Sequence, residues 1–216
     1  MATIEEAPPR LPPAPPTGHG GEPAHPPTST GTSNVKLAIW LFLASDCLFF
    51  GAFIAAYLLY RNRPQAGPTP QKVYSIPFTS VSSFVLLMSS LTMVLALAAI
   101  QRGDLRRLRM WLMSTALLGS VFIGGQIYEF TNFARKGLSL DTNLFGSTFF
   151  VLTGFHGAHV TVGIIWLLSL WGLAARGRLN QPDAEKVEIA GLYWHFVDVV
   201  WIVIFTLVYL IPLSSK

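Results

Sequence analysis

The chain has 216 residues, of which 51% are hydrophobic and only 12% charged, and its formal net charge is +4. A soluble domain carries about 25% charged residues, so this composition excludes an ordinary soluble fold, and it equally excludes an intrinsically disordered chain. Nucleic acid is not the partner that the positive balance indicates, because the arginines and lysines fall mainly in short connectors between apolar runs, where membrane orientation accounts for them. A single cysteine, Cys47, allows no intrachain disulfide and no cysteine metal cluster.

Residues 1–34 are rich in Pro, Gly, Thr and Ala and contain no apolar stretch long enough for a signal-peptide core. Such a segment cannot bury enough surface to fold alone, and it is expected to be a disordered cytoplasmic tail in which His19 and His25 are solvated. Residues 35–216 then read as an all-α integral membrane domain, a five-transmembrane-helix bundle with spans at about 36–60, 75–100, 110–131, 146–174 and 189–213. At 1.5 Å rise per residue, each can cross the roughly 30 Å hydrocarbon layer, some with tilt. The connectors carry breakers: Arg61-Asn62-Arg63-Pro64, then Gln101-Arg102-Gly103-Asp104, then Lys136-Gly137, then Arg176-Gly177-Arg178, with Pro212 closing the last helix.

Five spans put the tail and connectors two and four on one side, with nine basic residues against six on the other. The excess is concentrated at Arg102, Arg106, Arg107 and Arg109, beside the third span. The positive-inside rule then places the N-terminus in the cytoplasm and the C-terminus outside.

Apolar helices need nothing but lipid, so the ionisable residues within them carry the information. Asp46 lies near the midplane of the first span. An isolated carboxyl there is expected to be neutral or hydrogen-bonded, and it reads either as a proton-relay group or as structural glue between helices. His156 and His159 share one face of the fourth helix, and His195 and Asp198 share one face of the fifth, each pair at i, i+3 spacing. The two helices run antiparallel, so these four side chains can meet. Three imidazoles and a carboxylate suit zinc, copper or haem; the simpler reading is that they tie the helices together without metal. Glu129 and Glu188 are expected as shallow, solvated caps, and Gln126 shares a face with Glu129. Gly124-Gly125, Gly154, Gly157 and Gly163 mark close helix approaches. Trp111, Trp166, Trp171 and Trp194 fit interfacial anchors.

Two stretches are more specific. Gly146-Ser-Thr-Phe-Phe-Val-Leu-Thr-Gly-Phe-His156-Gly-Ala-His159-Val-Thr-Val-Gly and Tyr193-Trp-His195-Phe-Val-Asp198-Val-Val-Trp201 resemble subunit III of the haem-copper respiratory oxidases, the cytochrome c oxidase and quinol oxidase subunit 3 family. Leu41-Phe-Leu-Ala-Ser-Asp46-Cys-Leu-Phe-Phe is similar to that family's first core helix, in which the acidic position is Glu in many members. Glu129 and Glu188 also fall on its acidic positions. The resemblance covers residues 36–213 and points to the five-helix bacterial form, which lacks two leading helices that help frame a lipid cleft. It implies an accessory subunit in the bacterial plasma membrane, with no catalytic, cofactor-binding or metal-binding residue of its own. Haems and copper would belong to partner subunits, with catalytic subunit I, subunit II and a small subunit IV as partners and phospholipid at the interface. The implied complex reduces oxygen to water with proton translocation, and its electron donor, cytochrome c or quinol, stays open. So do a small proton-conducting or transport protein, a haem- or metal-bearing redox enzyme, and an accessory subunit of a nitric-oxide-reducing complex.

Overall fold

The computed structural model describes residues 33–61, 76–138 and 143–211. The expected tail lies outside the described residues apart from Ser33 and Asn34, as do Pro212 and the first connector beyond Arg61. The unit Met1–Asn34 is separate from the unit Val35–Lys216, to which the following description applies.

Five helices are described: α1 Asn34–Tyr60, α2 Ile76–Gln101, α3 Leu105–Arg135, α4 Leu144–Ala175 and α5 Ala184–Phe205. A 3-10 turn at Gln181–Asp183 precedes α5, and a π-helical turn at Thr206–Leu210 prolongs it. All five are long and apolar enough to span a membrane. The expected spans hold in number and order, but α3 is longer at both ends and α5 starts earlier. Asp104 accepts the Arg107 N–H at 3.0 Å and so caps an amphipathic first turn. There Leu108 is fully buried while Arg106 and Arg107 face outward. Asn143 caps α4 in the same way, its carboxamide oxygen accepting the Gly146 N–H at 2.7 Å. Counting apolar runs misses the first turns of α3 and α5, residues 105–108 and 184–187, because half of their residues are charged.

Helices α2, α3 and α4 all end in the same hydrogen-bond pattern. In α2 the N–H of Asp104 donates to the Ala99 carbonyl and that of Gly103 to the Ile100 carbonyl, both at 2.9 Å. This double closure requires a left-handed residue, and Gly103 supplies it at φ +74°. Gly137 and Gly177 close α3 and α4 likewise.

Close pairings run α2 with α3, α3 with α4, α4 with α5 and α5 with α2, so these four helices form a closed ring. At its centre stands Trp194 of α5, 1% exposed. A Cβ at Gly119 of α3 would come within 2.6 Å of its indole, and one at Gly163 of α4 within 2.8 Å. Its Nε1–H donates to Ser89 Oγ of α2 at 2.9 Å. Trp194 therefore touches every other helix of the ring, and the expectation of an interfacial anchor is corrected at this position: ten residues into α5, about 15 Å along its axis, the indole sits in the core. Two turns further on, Trp201 Nε1–H donates to Ser83 Oγ of α2 at 2.8 Å.

Helix α1 lies outside the ring and buries one narrow stripe of Leu43, Asp46, Phe50 and Tyr57. The remainder, including Leu41 and Leu48, is exposed and suited to lipid. Its two ends are fixed by polar contacts. Lys36 pairs with Glu188 at 2.7 Å. At the other end the buried Arg61 guanidinium donates to the carbonyls of Leu207 and Ile211, both at 2.8 Å. These are carbonyls of the last turn of α5, which needs donor partners from outside the helix.

The Gly119 and Gly163 contacts set a stability test. Gly119→Ala should destabilise the bundle by about 1–3 kcal/mol, the usual range for overpacking. Trp194→Phe removes the indole atoms that a Cβ would strike, so the double variant should lose less than the two single losses added together. Thermal unfolding in detergent, read as a double-mutant cycle, checks this; strict additivity would mean that the two residues do not share one packing site.

Candidate functional site

The ionisable residues within the spans do not converge on one centre. His156 and His159 do not join His195 and Asp198 in a four-residue cluster between α4 and α5; each of the four is engaged differently, and the expectation of such a cluster is corrected. Among the described residues no group of three or more His, Cys, Asp or Glu side chains could hold a metal ion.

Asp46 of α1 faces His159 of α4, with its Oδ2 3.4 Å from Nε2. The other ring nitrogen, Nδ1, lies 2.8 Å from the Phe155 carbonyl oxygen. A carbonyl only accepts, so Nδ1 carries the hydrogen. A neutral His159 then presents a bare lone pair at Nε2, which an ionised Asp46 would repel. The arrangement therefore calls for one proton between the two side chains, on the carboxyl or on Nε2. Phe49 and Phe50 pack against the same imidazole, the latter edge-on at 5.0 Å between ring centroids. Tyr193 of α5 donates its hydroxyl hydrogen to the His159 carbonyl at 3.0 Å. Sequence marks Asp46 as an acid within the first span but does not disclose its partner.

His156 is completely buried, and neither ring nitrogen has a hydrogen-bond partner among the described residues. Its imidazole stacks on Trp201 of α5 at 4.9 Å and 25°, with Phe122 of α3 edge-on at 5.9 Å. It serves there as an aromatic plate joining α3, α4 and α5. His195 turns away from α4 toward α2, where its Nδ1 lies 2.5 Å from Ser90 Oγ. Asp198, also buried, lies beside the same serine.

Glu129 is not the solvated cap expected of it. It is 6% exposed, and Thr79 of α2 donates to its Oε1 at 2.5 Å. Tyr209 of α5 borders Thr79, Glu129 and Tyr57, so this polar group joins four helices near the Arg61 end. Glu188 is half-buried at the other end, in its pair with Lys36. Gln126 donates to the Thr153 carbonyl at 2.6 Å, and its amide lies where a Cβ at Gly157 would stand, 2.8 Å from Oε1.

Sequence reading missed Thr79, Ser83, Ser89, Ser90, Arg61 and Tyr209. The signal for the serines is a matched spacing: Trp194 and Trp201 are seven residues apart on α5, and Ser89 and Ser83 six apart on antiparallel α2. Each indole has a hydroxyl opposite it.

Comparison with known proteins places this architecture. The profile of the family described as cytochrome c oxidase subunit III matches residues 23–212. The chain belongs to the cytochrome c oxidase subunit III family. It is similar to cytochrome c oxidase subunit 3 of Bacillus sp. (strain PS3), with 39% identity over 177 residues, 82% of this chain and 86% of the relative. It is also similar to quinol oxidase subunit 3 of Bacillus spizizenii, with 38% identity over 198 residues, 92% of this chain and 97% of the relative. Cytochrome c oxidase subunit 3 of Thermostichus vulcanus is 39% identical over 176 residues. Within the subunit III family frame, the paired acids and histidines of this chain bridge helices in a bundle with no metal-binding group among its described residues.

The Asp46–His159 geometry gives a test that separates charge from hydrogen bonding. Asp46→Asn puts an amide N–H where Nε2 needs a donor and should preserve the folded bundle. Asp46→Leu leaves the half-buried His159 acceptor unsatisfied and should cost about 1 kcal/mol, the low end for an unpaired acceptor. Detergent stability and the yield of folded protein read the difference; equal loss in both variants would mean that the hydrogen bond does not hold α1.

Proposed function

We propose that the chain is the accessory integral-membrane subunit III of a terminal haem-copper oxidase, the enzyme of aerobic electron transport that reduces oxygen to water with proton translocation. The family match over residues 23–212 carries this reading. The residue chemistry agrees with it, since Asp46, Glu129, His159 and His195 each meet a polar side chain of another helix rather than an open coordination sphere.

In this reading haems and copper reside in partner subunits. The chain covers a flank of catalytic subunit I, beside subunit II and a small subunit IV, excludes water there and holds phospholipid at the interface. It supports proton uptake by keeping that flank ordered, and it donates no ligand to a redox centre. Relatives named for cytochrome c and for quinol oxidases match at 39% and 38% identity, so similarity alone does not select the electron donor. The membrane is the bacterial plasma membrane, with the tail and the arginine-rich turn after α2 facing the cytoplasm.

Orientation is tested by a reporter fused after Lys216, expected to be active outside the cytoplasm, and one inserted near Gly103, expected to be active inside. Both reporters on one side would refute the arrangement. The supporting role is tested by removing the subunit from the purified complex. The haem spectrum and initial oxygen reduction should be nearly unchanged, whereas activity should decline during sustained turnover and proton uptake should slow most at high pH. Immediate haem loss, or full activity through prolonged turnover, would overturn the reading.

A further inference from the structure

Where α2 turns into α3, the two helices enclose a cleft of about 390 Å³ with two chemically different halves. Its apolar half is formed by Leu95, Ala98 and the buried Ala99 of α2, with the half-buried Trp111 and the exposed Met110 of α3 opposite them. Its mouth holds Arg102, Asp104 and Arg107. The turn at Gly103 reverses the chain so abruptly that the end of α2 and the first turn of α3 stand at one level. The alanine at position 98 leaves room between the helices that a larger side chain would fill.

The charges at the mouth are not equivalent. The Asp104 carboxylate is occupied by Arg107 twice over, accepting its backbone N–H at 3.0 Å and standing 3.3 Å from its Nε. Arg107 is thereby compensated. Among the described residues Arg102 has no acidic partner, so the mouth keeps one uncompensated guanidinium directly above an apolar trough. A small soluble anion would use the guanidinium and leave the trough unused. An amphiphile with an anionic head and a hydrocarbon chain would use both.

We propose that this cleft is a binding site for one anionic glycerophospholipid, with its phosphate on Arg102 and an acyl chain along Leu95, Ala98 and Met110. Guanidinium binds phosphate through paired N–H donors, and basic pockets between spanning helices suit anionic headgroups. The site is built by α2 and α3 alone and does not depend on which oxidase partners the chain has. Arg106 is adjacent and exposed but does not line the cleft. It therefore provides the control that separates a built site from general attraction to a basic surface.

The test uses the intact complex in phosphatidylcholine nanodiscs containing increasing fractions of phosphatidylglycerol with brominated acyl chains. Bromine quenches nearby indoles, and the difference between the complex and its Trp111→Phe form isolates the signal of Trp111. Half-quenching should require about fivefold more phosphatidylglycerol in Arg102→Gln, the effect of one surface arginine, and change less than twofold in Arg106→Gln. Asp104→Asn keeps the helix cap while releasing Arg107, so it should shift half-quenching to a lower fraction. Arg102→Lys, which retains the charge, should fall between native and Gln. Equal effects of Arg102→Gln and Arg106→Gln, or brominated phosphatidylcholine quenching as well as phosphatidylglycerol, would overturn the site. Displacement by inorganic phosphate at tens of millimolar would reassign the guanidinium to a soluble anion and overturn the lipid assignment.

Discussion

Trp194 imposes the constraint on which the rest of the bundle depends. Within hydrocarbon, helices gain nothing by hiding apolar surface from one another, because lipid is as apolar as leucine; close packing and interhelical hydrogen bonds must hold them. The indole of Trp194 supplies both at one point. Its face demands flat, side-chain-free helix surfaces, which Gly119 and Gly163 provide, and its N–H demands an acceptor, which Ser89 provides. No two of these three contacts lie on the same helix, so satisfying the indole fixes α2, α3 and α4 around α5 at once. Trp201 repeats the device two turns along, with Ser83 as acceptor and His156 as the stacked plate.

Helix α1 follows a different rule. Outside the ring, it is held by polar contacts at three heights: Lys36 with Glu188, Asp46 with His159, and Arg61 with the terminal carbonyls of α5. These are unequal. The Lys36 pair is partly exposed, where an ion pair contributes about 0–1 kcal/mol. Arg61 is buried and satisfies carbonyls that have no helical partner among the described residues, so its loss would leave acceptors orphaned in an apolar setting. The i→i+5 closure from Ile211 N–H to the Thr206 carbonyl and the extended ψ of 112° at Ile211 mark where α5 gives way to that cap. A proline follows in the sequence, and a residue before proline favours extended backbone, so local preference and the cap agree.

The five spans were legible because apolar runs of that length have few other readings, and the glycines after α2, α3 and α4 marked their ends. The polar chemistry was legible only in part. Asp46 announced itself as a carboxyl in an apolar run, but its partner is 113 positions away on another helix, and one-dimensional spacing does not reveal contacts between helices. The i, i+3 rule put His156 and His159 on one face, as it did His195 and Asp198; which way each face turned was set by tertiary packing, and α5 presents His195 to α2. Glu129 was misread for a related reason. Distance from a helix end measures depth only when the end is known, and α3 continues to Arg135, beyond the apolar run that ends at 131, which sets Glu129 inward against Thr79.

These contacts explain how a bundle that carries His156, His159, His195, Asp46, Glu129 and Asp198 within its helices can lack an open coordination site among its described residues. A metal centre needs several ligands whose lone pairs converge and whose other valences are held by outer hydrogen bonds. Here the lone pairs diverge. His159 Nδ1 donates its hydrogen to its own helix, His195 Nδ1 meets a serine, and His156 spends its ring on stacking. Glu129 is occupied by a threonine. Asp46 and His159 come closest to a reactive pair, yet their geometry calls for one proton between them, and without it the carboxylate would face the bare lone pair of Nε2. Groups arranged this way tie a bundle into one conformation. That property suits a subunit 3 of a terminal oxidase, which packs against other subunits of its complex.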